Sequence, residues 1–198
     1  RIFTMSIIKH DFKKINITKI KEAKKLDELI DELLLNLDTK YFELIKEMFE
    51  NTIYLHDIGK VKVPESIGLS PDDLDESELQ TLRNHAEFGY NLLKDSNRPL
   101  IKTAALIARD HHEYWNGNGY PRGKSGENIH IFCRITALAD SYDTLRNKRK
   151  SKEAMSIDEV TKLITEQKGE QFDPNLVDIL LANIEEIENI IQQNLDEQ

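Results

Sequence analysis

Apolar residues along this chain recur at three- and four-residue spacing, and no stretch alternates apolar with polar residues long enough to make a convincing strand. That pattern restricts the chain to helices packed on helices. The five prolines, Pro64, Pro71, Pro99, Pro121 and Pro174, sit at expected helix boundaries, where a residue with fixed φ and no N–H is tolerated. Ile20, Ala23, Leu26, Ile30, Leu33 and Leu34 form one stripe; Phe42, Ile45, Phe49, Thr52, Ile53 and His56 form a second, with His56 on the core side of a helix end. Asp75-Glu76-Ser77-Glu78 is an acidic helix start, and that helix is expected to carry Leu79, Leu82, His85 and Phe88 on one side. A helix from Pro99 runs through Ala104, Ala105, Ile107 and Ala108 into His111-His112. Ile131, Ile135, Leu138, Tyr142 and Leu145 mark another, with Asp140 near its middle. Helices near 157–168 and 174–194 close the chain, and the charged end after Glu185 is expected to fray. Residues 61–74 and 116–128 read as loops, the latter holding four of the eight glycines.

The chain has 198 residues, 39% of them hydrophobic, which suits one core domain with extra terminal helices. The expected division is an N-terminal helical segment over 1–40 and a core over 41–198. The chain opens on Arg rather than Met, which is read as a piece of a longer protein with an upstream domain. Cys133 is the single cysteine, which excludes a disulfide within the monomer and fits a reducing cytoplasm. No apolar run approaches the about 20 residues of a membrane span. A net charge of -9 disfavours a nucleic-acid polymer as partner. A small anion remains possible where positive charge is local, as in Arg146-Asn147-Lys148-Arg149-Lys150-Ser151-Lys152.

Four of six histidines fall in three short clusters: His56-Asp57-Ile58-Gly59-Lys60, His85, and His111-His112-Glu113. Imidazoles and carboxylates are the ligands that divalent first-row metals prefer. Asp140 follows Ala137-Leu138-Ala139, a poor setting for a carboxylate without a partner. An arbitrary His-Asp pair is usually a surface feature or a helix cap. The order of these clusters points instead to a metal-dependent hydrolase.

Together with Asn116-Gly117-Asn118-Gly119-Tyr120-Pro121, Arg134-Ile135-Thr136-Ala137-Leu138-Ala139-Asp140 and Gln171-Phe172-Asp173-Pro174, these clusters resemble the HD-GYP branch of the HD-domain metal phosphohydrolases. The resemblance runs from about Leu55 to Leu180. It implies an all-α HD-domain bundle with extra N- and C-terminal helices and a glycine-rich loop. It also implies two divalent ions, iron or manganese, and hydrolysis of cyclic di-GMP to pGpG and GMP by a bridging hydroxide. Asp57 would join the two metals. His56 and Asp140 would complete one site, and His85, His111 and His112 the other. Lys60 would stabilise phosphoryl charge, Arg149 and Lys152 would hold substrate phosphates, and Arg146, Lys148 and Lys150 would be solvated. Gly119, Tyr120 and Pro121 would position substrate or contact a partner, and Asp143 would orient Lys60 or a ligand. A diguanylate cyclase domain and a second copy of the chain are the protein partners this implies.

The chain departs from the family mildly at Asn116, His130 and Ser151, and more consequentially upstream. Active members carry a further metal-binding histidine on the first core helix, and Lys24 or Asn16 falls there instead. Glu22, Asp27, Glu28 and Asp31 are candidate substitutes. The competing reading is a non-catalytic module that binds a cyclic dinucleotide or a partner as a sensor. His130 is read as a loop histidine, and a third metal is not expected.

Overall fold

The computed structural model describes residues 51–68, 74–146 and 154–189. The stripe at 20–34, the alternatives at 16–31, and Arg149 and Lys152 lie outside these. Among the described residues every regular element is helical, and one isolated bridge joins Lys168 to Phe172. The order is a 3-10 turn (Ile58–Lys62), α1 (Glu65–Gly68), α2 (Glu76–Arg83), α3 (His85–Leu93), α4 (Pro99–Asp110), a short 3-10 element in the loop (Gly126–Asn128), α5 (Ile131–Arg146), α6 (Ile157–Glu166) and α7 (Pro174–Ala182). No helix among the described residues is long and apolar enough to cross a membrane.

Local chemistry sets the boundaries. Asp75 accepts from the Glu78 N–H, and the Glu78 carboxylate accepts from the Asp75 N–H, a reciprocal cap that satisfies two otherwise orphaned donors. Ser156 and Glu159 start α6 in the same way. Pro99 and Pro174 each occupy a first turn, where a missing N–H costs nothing.

Helix α5 organises the core. Phe132, Cys133, Ile135, Leu138, Ala139 and Tyr142 are buried on it. It packs against α4 on one side and against α6 and α7 on the other. Val160, Ile164, Val177 and Leu180 close that second side, each essentially inaccessible. At about 1.5–3 kcal/mol per fully buried aliphatic side chain, this seam holds α5 in place. Asp140 lies on its less buried edge.

Four expectations need correction. The stripe through Leu79, Leu82 and His85 suggests one helix, but the chain breaks at Asn84 and His85 opens a new helix, α3. The expected loop 61–74 begins as the end of the 3-10 turn and continues into α1. The chain past Glu185 does not fray at once. Ile187 and Glu188 are buried, and Arg146 reaches Glu188 through Nε (2.9 Å) and Nη2 (2.5 Å). The Tyr142 hydroxyl donates to the same carboxylate. Arg146 is thus a tether between α5 and the C-terminal segment, not a solvated cation.

The 3-10 turn lies directly on α3, and glycine makes this contact possible. A Cβ on Gly59 would stand 1.9 Å from the His85 carbonyl oxygen and 2.4 Å from the Gly89 nitrogen. The two backbones therefore meet without side chains between them, which brings Asp57 beside His85. Gly59→Ala is expected to lower stability by at least about 1–3 kcal/mol, the usual cost of overpacking. Urea unfolding checks this; an unchanged midpoint would contradict the close approach.

Candidate metal and phosphate site

Distant segments converge on Asp57. Its Oδ2 lies 3.4 Å from His56 Nε2, and its Oδ1 lies 3.5 Å from His85 Nε2 and 3.9 Å from His111 Nε2. His56 Nε2 is also 3.7 Å from Asp140 Oδ1. The nitrogens offered by His85, His111 and His112 lie within 4.8 Å of one another. The two oxygens of one carboxylate thus face two different sets of imidazoles.

The tautomers follow from the backbone. Nδ1 of His56 donates to the Ile53 carbonyl (2.7 Å), and Nδ1 of His85 to the Leu82 carbonyl (2.6 Å). Nδ1 of His111 is shared between the Ile107 and Ala108 carbonyls. A ring nitrogen that donates its proton to a carbonyl fixes the other nitrogen as the reactive one. Burial pushes His85 below the usual imidazole range, and it holds His111 down to about 4, with the charge on nearby His56 adding to the effect. Burial also pushes His112 down, and neighbouring His111 adds to it. Their free nitrogens are therefore lone pairs.

Asp57 is ionised. Burial alone would raise its pKa, but His56 and Lys60 outweigh burial and hold it well below the carboxylate range. Lone pairs thus point at an anion, and the buried Nε2 atoms of His85 and His111 have no hydrogen-bond partner. Orphaned buried acceptors are costly. A cation between them and Asp57 satisfies both, so these residues fit a divalent metal. His56 differs. Burial would lower it, yet hydrogen bonds to Asp140 and Asp57 raise it to about 10. Its Nε2 lies between the Asp57 and Asp140 carboxylates, a donor set that would suit a second cation.

Cavities open on either side. One of about 230 Å³ is lined by Tyr54, His56, Asp57, Thr136, Asp140 and Asp143. The other, about 320 Å³, meets it at Asp140 and is lined in part by His111, His112, Tyr120 and Gln171. Asp143 therefore faces the same space as His56 and Asp57. Lys60 is exposed, and its ammonium binds Asp57 Oδ2 at 2.6 Å. Tyr120 stacks on His112 with centroids 4.7 Å apart and planes 23° from parallel. A Cβ on Gly119 would stand 2.2 Å from the Tyr114 nitrogen and 2.5 Å from the His112 carbonyl oxygen. Only glycine lets the loop fold back so closely. Pro121 follows a cis peptide bond and is half-buried. His130 is exposed at the start of α5, away from this cluster; its Nδ1 accepts from the Phe132 N–H.

Sequence reasoning missed the groups that hold the loop. Buried Glu113 accepts from the Arg122 N–H (2.7 Å) and the Lys124 N–H (2.8 Å). Asp110 forms a two-bond pair with Arg109, at 2.6 and 2.9 Å, and binds Lys124 Nζ at 2.8 Å. Arg109 in turn lies over the Tyr90 ring. Glu113 directly follows the histidine pair, which was the available signal. Nothing in the spacing singled out Asp110.

A family model described as "HD domain" matches residues 20–176. The chain is 42% identical over 139 residues to the cyclic di-GMP phosphodiesterase response regulator RpfG of Xanthomonas campestris, covering 70% of this chain and 37% of that protein. It is 41% identical over 140 residues to 3'3'-cGAMP-specific phosphodiesterase 2 of Vibrio cholerae, covering 71% and 27%. It is 36% identical over 143 residues to a cyclic di-GMP phosphodiesterase of Thermotoga maritima, covering 72% and 39%. The chain belongs to the HD domain family, in its HD-GYP branch. It spans between about a quarter and two-fifths of the length of these relatives.

Two predictions follow from this geometry. His85→Ala removes a buried candidate ligand and is expected to weaken affinity for a divalent metal by more than the roughly 10- to 100-fold that losing an outer hydrogen-bond partner costs. Metal titration of the purified variant reads this, and unchanged affinity would contradict it. Asp110→Asn leaves Arg109 buried without its counter-charge, a loss of about 3–5 kcal/mol at neutral pH. Burial raises the Asp110 pKa, but Arg109 and Lys124 override it and hold the folded value below 3.8. The stabilisation is therefore complete above pH 3.8 and fades as pH falls through the lower folded value. Unfolding curves of the two proteins should differ most at neutral pH and converge in acid.

Proposed function

We propose that this chain is the catalytic region of a metal-dependent phosphodiesterase that opens cyclic di-GMP to linear pGpG and, with a second water, to GMP. The supporting observation is the split of Asp57: one oxygen toward His56, the other toward His85 and His111. Relatives named for cyclic di-GMP and 3'3'-cGAMP phosphodiesterase activity support the substrate class. We assign two divalent ions, iron or manganese, to His56, Asp57 and Asp140 on one side and to Asp57, His85, His111 and His112 on the other. When bound, such ions supply an activated water and neutralise charge on the phosphoryl oxygens.

The chain's own residues do the rest. Asp57, ionised and fixed between the imidazoles, sets the spacing of the centre. Lys60 places a cation at its solvent side, where it stabilises phosphoryl charge and can give a proton to the departing sugar oxygen. Water oxygen bonds to phosphorus as the ester P–O bond breaks, and the released sugar oxygen ends as a hydroxyl. Arg149 and Lys152 are assigned to the substrate phosphates, where the guanidinium fork suits two phosphate oxygens. Asp143 is assigned to orienting a ligand or Lys60. Gly119, Tyr120 and Pro121 form the substrate side of the loop. A cytoplasmic setting and coupling to a diguanylate cyclase domain complete this reading.

The test is turnover of cyclic di-GMP by protein loaded with iron or manganese under reducing conditions, with products separated by chromatography. Asp57→Ala is expected to abolish turnover and release metal. Lys60→Ala should retain metal and lose about 100- to 1000-fold in kcat, the scale of one electrostatic stabiliser. Tight binding of the dinucleotide without turnover at full metal loading would favour the non-catalytic sensor.

A further inference from the structure

The larger cavity contains a basic residue that the sequence patterns did not single out. Arg83 ends α2 and lines this cavity together with Tyr114, Tyr120 and Gln171. Among the described residues it is the only lysine or arginine in the lining. Its guanidinium lies 5.5 Å from the centroid of Tyr120, and Tyr120 itself stacks on His112. A row of arginine, tyrosine and histidine therefore leads from the cavity to the metal-ligand cluster. The acidic neighbour of Arg83 is Glu76, at 3.8 Å and largely exposed, so the charge is only weakly compensated.

Beside His111, His112 and Asp140, the lining of this cavity is largely apolar and aromatic. Aliphatic Leu79 and Leu82 and the rings of Tyr114 and Tyr120 form much of the wall, and anionic Asp140 stands at one end. Flat aromatic walls suit the face of a nucleobase. The guanidinium carbon lies over the Tyr120 ring, and apart from the 3.8 Å approach to exposed Glu76 its N–H groups can meet a ligand. Guanine presents two acceptors, N7 and O6, that match this fork; adenine presents one acceptor and one donor, which the fork cannot satisfy.

We propose that Arg83, held over the Tyr120 ring, is the specificity residue of a guanine subsite, reading the N7/O6 edge of the base whose phosphate is cleaved. This rests on the dinucleotide phosphodiesterase reading above. The test compares kcat/KM for cyclic di-GMP, 3'3'-cGAMP and cyclic di-AMP in the full chain and in Arg83→Gln and Arg83→Lys. A direct-binding arm uses calorimetry with GMP and AMP on the metal-loaded proteins. Both variants should lose on the order of 5- to 150-fold on the two guanine-containing dinucleotides, with cyclic di-AMP little changed. The GMP preference over AMP should disappear in the same proteins.

Arg83→Lys separates fork from charge, because lysine retains the cation but not the paired donors. Equal losses on all three dinucleotides, or rescue by lysine, would assign Arg83 to phosphate and overturn the proposal. Unchanged preference in both variants would also overturn it. If the wild-type protein turned over no dinucleotide, the phosphodiesterase reading would fail. The GMP-against-AMP comparison would still decide the role of Arg83.

Discussion

The central constraint is an ionised carboxylate held against unprotonated imidazoles. Asp57 is kept anionic by His56 and Lys60, while burial keeps His85 and His111 neutral with their Nδ1 protons given to backbone carbonyls. Without an intervening cation this arrangement is electrostatically unfavourable. A donor set of this kind suits a cation.

The scaffold contributes through close backbone contacts and a few buried ion pairs. Gly59 against His85 and Gly89 sets the distance between the 3-10 turn and α3. The end of α4 delivers the histidine pair, and Glu113, one residue later, anchors the returning glycine loop through two backbone N–H groups. Farther out, Arg134 bonds Asp173 at 2.5 Å and lies over Trp115. The Trp115 and Asn116 N–H groups bond the carbonyls of Gln171 and Glu170. The Gln-Phe-Asp-Pro segment thus serves as the floor on which the loop rests. Loop, helix end and closing segment are one mechanical unit, so damage to any of them should reach Tyr120.

Much of this was legible because metal ligands are rare residue types in constrained places. His56, Asp57, His85, His111, His112 and Asp140 could be grouped from their identity and local context, and the structure places them together. Helical periodicity located α4 and α5 well. It failed at Asn84, since a hydrophobic stripe can continue across a break when two short helices bury the same side. The tether from Arg146 to Glu188 was equally hidden, because a basic run reads as solvated unless its distant acidic partner is known. Arg83 beside Tyr120 and Asp110 beside Lys124 were missed for the same reason: these partners are distant in sequence and leave no spacing signature.

If Asp57 joins two cations, anomalous diffraction from crystals grown with manganese will show it most directly. Two peaks are expected, one on each side of the Asp57 carboxylate: one facing His56 and Asp140, the other facing His85, His111 and His112. The same side chains in the same positions, with no anomalous peak between them at saturating manganese, would contradict the metal centre and the hydrolysis built on it.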